Sequence, residues 1–135
     1  MPHPPPLFFE KTVSGGTGTR VLGQWGEERV AEKLRREGWS ITARNYRCRM
    51  GELDIVAENG TFLAFVEVKL RKDSRFGSAC ESVTPSKQRK LRAAAQCYLL
   101  SCPSKLQPRF DVAEVYAPQG VRTETPDIYY IENAF

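Results

Sequence analysis

Asp54, Glu67 and Lys69 are spaced so that the chain can bring them together. Residues Phe62 to Leu70 read as a strand apolar on both faces. Phe62, Ala64, Val66 and Val68 take one side; Leu63, Phe65, Glu67 and Lys69 take the other. A strand buried on both faces belongs in the middle of a sheet. Its end then delivers a carboxylate and an ammonium, two residues apart, to one face. The strand before it, Glu52 to Ala57, alternates Leu53, Ile55 and Ala57 against Glu52, Asp54 and Val56. Asn59-Gly60 between the two is a strong two-residue hairpin signal. With those two as the turn, Glu58 pairs with Thr61 and Asp54 with Phe65. Asp54 and Glu67 become diagonal neighbours, within about 8 Å. Carboxylates that close repel, and one holds its proton more tightly unless a cation joins them. Mg2+ or Mn2+ is the cation that carboxylates and carbonyls suit. The same residues also allow a plainer arrangement: a buried Glu67–Lys69 ion pair, with Asp54 a surface acid near the turn.

A third acid comes from a helix predicted over about Leu22 to Glu37, stopped by Gly38. Val30, Ala31 and Leu34 form its apolar stripe, and helical spacing puts Gly23 and Glu27 on that face. Glu28, Glu32, Arg35 and Arg36 fall elsewhere, toward solvent. Of two adjacent glutamates, Glu27 is the one aimed inward, which is costly unless something pairs with it. The alternative is a glutamate at the edge of the stripe with its head in water. Trp25 lies off the stripe.

Composition removes other chemistries. The one histidine, His3, sits in a proline-rich leader, so a Ser-His-Asp or Cys-His triad has no base and a histidine zinc site has no ligands. Cys48, Cys80, Cys97 and Cys102 form no C-x-x-C pair and are expected to act as small hydrophobes, not as zinc ligands or disulfides. The 135 residues, 41% hydrophobic and 27% charged, fit one globular domain. The longest apolar run, Phe62 to Val66, is far short of the roughly 20 residues a membrane helix needs. The N-terminus has neither the basic nor the apolar region of a secretory signal, so a cytoplasmic protein with no membrane partner is expected. Residues 1–20, rich in proline and then glycine, are expected to be a flexible tail, with 21–135 as the single domain.

Charge is uneven. Residues 33–92 hold 14 basic and 7 acidic residues, +7 in a chain whose total is +4. The bases cluster as Arg44, Arg47 and Arg49; Lys69, Arg71, Lys72 and Arg75; and Lys87, Arg89, Lys90 and Arg92. Such clusters attract polyanions by releasing their counterions, or simply keep a surface soluble.

The remaining elements frame this region. Ser40–Tyr46 reads as a strand. A helix should begin after Thr84 as N-cap with Pro85 in its first turn, run to about Leu100, and bury Leu91, Ala94, Ala95 and Tyr98. Arg109–Tyr116 and Asp127–Ile131 complete the strands. The order αβββαββ implies an antiparallel meander, then a right-handed parallel crossover, in a mixed α/β sheet with helices packed on it.

Asp54, followed after a hairpin by Glu67-Val68-Lys69, resembles the PD-(D/E)XK nuclease signature, with Leu53 where that signature has proline. More closely, the chain resembles the YraN-like uncharacterised proteins (uncharacterised protein family 0102), which are similar to archaeal Holliday-junction resolvases. The resembling stretches are Gly23–Glu27, Gly51–Ala57, Phe65–Lys69, Val83–Gln88 and Arg109–Val112, in order over about residues 20–116. The resemblance implies a restriction-endonuclease-like fold and Mg2+- or Mn2+-assisted phosphodiester hydrolysis. Asp54, Glu67 and the Val68 carbonyl would hold the metal, with Glu27 a further ligand. Lys69 would position or help deprotonate water and balance phosphate charge. Gln88 would orient water or a phosphate, or serve packing. Arg44, Arg47, Arg49, Arg71, Lys72, Arg75, Lys87, Arg89 and Lys90 would hold the nucleic-acid backbone, DNA ahead of RNA. A homodimer follows by analogy with resolvases. The competing expectations are a nucleic-acid-binding module without turnover and a protein-interaction domain whose acids are structural.

Overall fold

The computed structural model describes residues 17–72 and 83–135. The expected tail up to residue 16, Arg75 and Gly77 lie outside the described residues. The elements are α1 (Thr17–Arg36), β1 (Ser40–Cys48), β2 (Gly51–Glu58), β3 (Phe62–Arg71), α2 (Pro85–Ser101), β4 (Gln107–Tyr116), a short 3-10 helix (Gly120–Arg122) and β5 (Asp127–Ile131). The first helix thus begins at Thr17, five residues before the expected start. The five strands lie side by side in chain order. β3 is central, antiparallel to β2 and parallel to β4; β1 and β5 are antiparallel edges. The result is a mixed α/β sheet with a helix against each face. No helix among the described residues is long and apolar enough to cross a membrane.

Two cores explain the two helices. Val30, Ala31 and Leu34 of α1 pack on Ile55, Ala57, Ala64, Val66, Ala113 and Val115. Leu91, Ala94, Ala95 and Tyr98 of α2 pack on Leu53, Val56, Leu63, Phe65 and Val112 across the sheet. Each fully buried aliphatic side chain contributes about 1.5–3 kcal/mol, so β3, apolar on both faces, is held from both sides. α2 starts as its sequence dictates: the Thr84 hydroxyl accepts the Lys87 amide at 3.2 Å and Pro85 occupies the first turn. α1 stops at Gly38, whose φ of +94° suits glycine, and the Trp39 amide turns back to the Leu34 carbonyl at 3.0 Å. Trp25, off the apolar stripe, is covered by packing at the margin of the α1 core and by the Arg29 guanidinium, 5.6 Å from its ring centre.

The β2–β3 hairpin differs from the expected one by one step. The pairs are Glu58 with Leu63, Ala57 with Ala64, Val56 with Phe65 and Ile55 with Val66. The Asn59 side chain explains this. Its Oδ1 accepts the amides of both Thr61 and Phe62, at 3.0 and 2.9 Å, while its own amide donates to the Phe62 carbonyl. The turn residues are therefore Gly60, at φ +95°, and Thr61, not Asn59 and Gly60. In this register Asp54 falls level with Glu67 rather than Phe65, still within reach of it.

A second departure lies in β2 itself. The expected alternation holds for Ile55 and Ala57, which face α1, but Leu53 packs in the α2 core instead. On β1 the same switch occurs between Arg44, paired with Ile55, and Tyr46, paired with Leu53. Tyr46 then packs edge-on against Tyr98 of α2, with ring centres 5.4 Å apart. Between them sits Asn45 at φ +53°, a left-handed conformation that asparagine tolerates and that breaks the strand's regular pleat. Asp54 lies opposite Asn45, at the residue where β2 changes face.

Candidate active site

The two irregularities meet at Asp54. The β2–β3 ladder stops at Ile55 and Val66, and beyond it the Asp54 carboxylate takes over: its Oδ2 accepts the Val68 amide at 2.9 Å. Burial pushes the Asp54 carboxyl well above the usual carboxylate range, and the charges of Glu67 and then Glu27 push it further; the Val68 hydrogen bond opposes them. Glu67 and Glu27, the other two acids expected at the site, therefore lie within electrostatic reach of Asp54. Glu27 reaches the group from α1, which runs close over β3 here. A Cβ on buried Gly26 would stand 3.0–3.2 Å from the Leu70 side chain. On the other face a Cβ on Gly51 would stand 3.1 Å from the Lys90 carbonyl, so α2 also lies tight against the start of β2.

Glu67 is 6% exposed and faces two cations. Lys69 Nζ lies 3.8 Å and Lys87 Nζ 3.6 Å from the same oxygen, Oε2. These are ion-pair distances too long for direct hydrogen bonds. The Glu67–Lys69 pair of the plainer arrangement exists, but Asp54 is not a surface acid beside the turn. Among the described residues no three His, Cys, Asp or Glu side chains stand as a preformed ligand set. Mg2+ takes one or two protein carboxylates and keeps several waters. Asp54, driven toward its protonated form by burial and then by the charge of Glu67, and Glu67 itself would fit such an ion chemically.

The other expected site residues divide. Gln88 donates from Nε2 to the Val83 carbonyl at 3.0 Å, tying the entry of α2. Arg44 and Arg71 are engaged on the protein itself. Arg44 bonds Glu28 at 2.9 Å. Burial alone would raise the Glu28 carboxyl, but the Arg44 hydrogen bond and charge, with Arg35, outweigh it and hold it low. Arg71 Nε lies 3.2 Å from the fully buried Glu114. Arg47 pairs with Glu52 at 3.2 Å. Arg49, Lys72, Arg89 and Lys90 are exposed, while Lys87 belongs with Glu67. Arg75 lies outside the described residues.

One group of residues carried no signal as a cluster in the sequence. Asp111, fully buried on β4, accepts two hydrogen bonds from Arg109 at 2.9 Å, the Tyr130 hydroxyl at 2.6 Å and the Asn133 amide at 2.9 Å. Arg109 is in turn covered by the Phe62 and Trp39 rings, 4.6 and 5.3 Å away. The network locks the C-terminal strand to the sheet. Its traces in the sequence are an apolar strand interrupted by Arg109 and Asp111 and the resembling stretch Arg109–Val112, neither of which points to Tyr130 or Asn133.

Residues 26–115 match the model of the Uncharacterised protein family UPF0102. A UPF0102 protein of Caldicellulosiruptor saccharolyticus is 44% identical over 117 residues, covering 86% of this chain and 98% of that protein. One of Symbiobacterium thermophilum is 47% identical over 98 residues, covering 72% of this chain and 83% of the relative. One of Chlorobium chlorochromatii is 41% identical over 119 residues, 87% and 92% of the two chains. The chain belongs to the UPF0102 family.

Proposed function

We propose that this UPF0102 protein is a Mg2+- or Mn2+-dependent nuclease with a restriction-endonuclease-like αβββαββ fold, hydrolysing phosphodiester bonds of branched or otherwise structured DNA. One observation carries the reading: Asp54 lies just beyond the end of the β2–β3 ladder, where burial and then the charge of Glu67 disfavour its ionised form. That is the arrangement expected of the Asp54…Glu67-Val68-Lys69 resemblance to the PD-(D/E)XK nucleases. Asp54, Glu67 and the Val68 carbonyl would hold the ion, with Glu27 as a further ligand. The ion would supply positive charge for the scissile phosphate and activate water.

The chain's own residues do the rest. Lys69, already at ion-pair distance from Glu67, would turn to the phosphate and hold its charge and the attacking water in place. Lys87, at ion-pair distance from the same carboxylate, would likewise be available to the phosphate. Exposed Arg89 and Lys90 on α2, with Arg49 and Lys72, would hold the backbone and carry no sequence information. Gln88 positions the start of α2 through Val83. A homodimer would suit a junction with two symmetric cuts, by analogy alone.

The protein-interaction reading draws on a specific observation: Arg44, Arg47 and Arg71 are all spent on acids of the same chain. Calorimetric titration with Mn2+ separates the two. The nuclease reading expects wild-type binding that Asp54→Asn and Glu67→Gln abolish while Lys69→Met keeps it. Absence of Mn2+ binding to folded wild type would favour structural acids.

A further inference from the structure

We propose that Tyr129 and Tyr116 form a stacking site for one unpaired base of the nucleic acid whose phosphate Lys69 engages, a site that rests on the nuclease reading for the position of that phosphate. β3, β4 and β5 pair without a register shift, so their residues line up in rows across the strands. Glu67 stands level with Val112 and Ile131, Lys69 with Glu114 and Tyr129, and Arg71 with Tyr116 and Asp127. Val112 and Ile131 pack in the α2 core, and alternate residues of a strand share a face, so all three rows lie on the α2 side of the sheet. Tyr129 is therefore two strands, about 10 Å, from Lys69, with Glu114 between them.

A single exposed tyrosine is ordinary, but this one comes with a hollow. Tyr116, Asp127, Ile128 and Tyr129 line an open cavity of about 480 Å3, within the roughly 300–1,000 Å3 of small-ligand sites. α2 packs chiefly over β2 and β1, at the other side of this face, and Tyr129 is 52% exposed. The Tyr116 ring is held in place: its hydroxyl donates to one Glu114 oxygen at 2.8 Å, while Arg71 Nε lies 3.2 Å from the other. A ring fixed in advance loses little freedom when a base settles on it.

Charge decides what the hollow takes. Lys69 and Arg71 of β3, with exposed Lys72 just after it, put cations on the β3 side. Exposed Asp127 puts an anion in the wall of the hollow itself. A phosphate is drawn to the first and turned away by the second. A base is uncharged, offers an aromatic face to a tyrosine, and can donate amino hydrogens to a carboxylate. Inside a regular duplex both faces of a base are covered by its neighbours in the stack, so the occupant comes from a single-stranded stretch or a branch point.

The test is binding of the full chain, in EDTA so that nothing is cut, to a fluorescein-labelled single-stranded DNA oligonucleotide and to a synthetic abasic strand of the same length. Tyr129→Ala is expected to weaken binding of the base-bearing strand roughly 5- to 100-fold, with binding of the abasic strand unchanged. Tyr129→Phe keeps the wild-type affinity, because the ring and not the hydroxyl stacks, and Lys72→Ala weakens both strands by the same factor. A strand carrying 5-iodouracil, irradiated with wild type, is expected to crosslink to Tyr129 or Tyr116 in peptide mass mapping, a readout that needs no variant to fold. Equal loss on both strands in Tyr129→Ala, no loss on either, or crosslinks confined to other residues would overturn the site. So would a dimer that Tyr129→Ala dissociates while strand binding is unaffected, since the patch is then an interface between copies of this chain. Base-dependent binding by a protein that cuts no junction leaves the stacking site standing and removes the nuclease; junction cleavage indifferent to Tyr129 does the reverse.

Discussion

The Asp54 carboxylate accepts the Val68 amide hydrogen at 2.9 Å, just past the last backbone rung between β2 and β3. A side chain thus fills a place that a strand carbonyl would otherwise take, and it is a side chain whose ionised form its surroundings disfavour. Burial first, then Glu67 and Glu27, raise the Asp54 carboxyl above its ordinary value of 3.8. The folded protein then binds a proton that the unfolded chain has already released. Stability from this group is full below about pH 4 and is lost as pH rises through the raised value.

Asp54→Asn keeps an oxygen for the Val68 amide and removes the charge. Without metal, the variant is expected to melt at the wild-type temperature near pH 4 and above it at pH 8. A tenfold change in proton affinity is worth about 1.4 kcal/mol, so the gain at pH 8 measures how far the neighbours push Asp54. Paired melting curves across pH check it; a variant less stable than wild type at pH 8 contradicts it.

The neighbours are ranked as well. Glu67 acts on Asp54 more strongly than Glu27 does. The Asp54 titration followed by carboxyl NMR should fall more in Glu67→Gln than in Glu27→Gln, and fall in both. Glu67→Gln also loses its attraction to Lys69 and Lys87, so its metal-free stability should change little. A loss of about 3–5 kcal/mol, with no Mn2+ stabilisation of wild type, would mark Glu67 as a structural ion-pair partner.

Asp111 is expected to behave in the opposite way to Asp54. It is fully buried and holds Arg109, Tyr130 and the Asn133 amide. Asp111→Ala leaves the Arg109 charge, itself 8% exposed, without its main partner, at a cost of about 3–5 kcal/mol. Urea unfolding measures the loss directly, and Mn2+ should not restore it.

The basic residues separate into holders of DNA and holders of the fold. Duplex binding that engages about four or five phosphates gives a slope of log K against log[salt] near −4. Lys90→Ala should weaken binding and make the slope less negative by about 1, with stability unchanged. Arg71→Ala should instead destabilise, because fully buried Glu114 is left, among the described residues, with the Tyr116 hydroxyl that bonds it at 2.8 Å. Fluorescence anisotropy at several salt concentrations, beside thermal melts, distinguishes the two.

Local chemistry made much of this legible. Thr84 and Pro85 mark the start of α2 because a cap needs only its own first turn. Glu27 could be aimed toward the sheet from its spacing to Val30, Ala31 and Leu34, and Asp54 toward Glu67 from the hairpin; both glutamates do act on the Asp54 carboxyl. The rung was misplaced because the Asn59 side chain captures the Thr61 and Phe62 amides and moves the turn by one residue. The partner of Asp54 kept its parity, since moving both turn positions by one shifts the pairing by two, although β2 itself changes face at Asp54. Leu53 was assigned to the wrong core because its face is set by Asn45 on the neighbouring strand, not by its own segment. The Asp111 network was hidden for the same reason, its partners lying 19 and 22 residues away.

Cleavage of a synthetic four-way DNA junction, run beside linear duplex, single-stranded DNA and RNA in Mg2+ or Mn2+, tests the proposed activity most directly. Wild type should cut the junction; Asp54→Asn should not, and Lys69→Met should be slower by orders of magnitude while still binding metal. Folded wild-type protein that binds the junction in either metal yet leaves every substrate intact, with its variants indistinguishable from it, would contradict a nuclease.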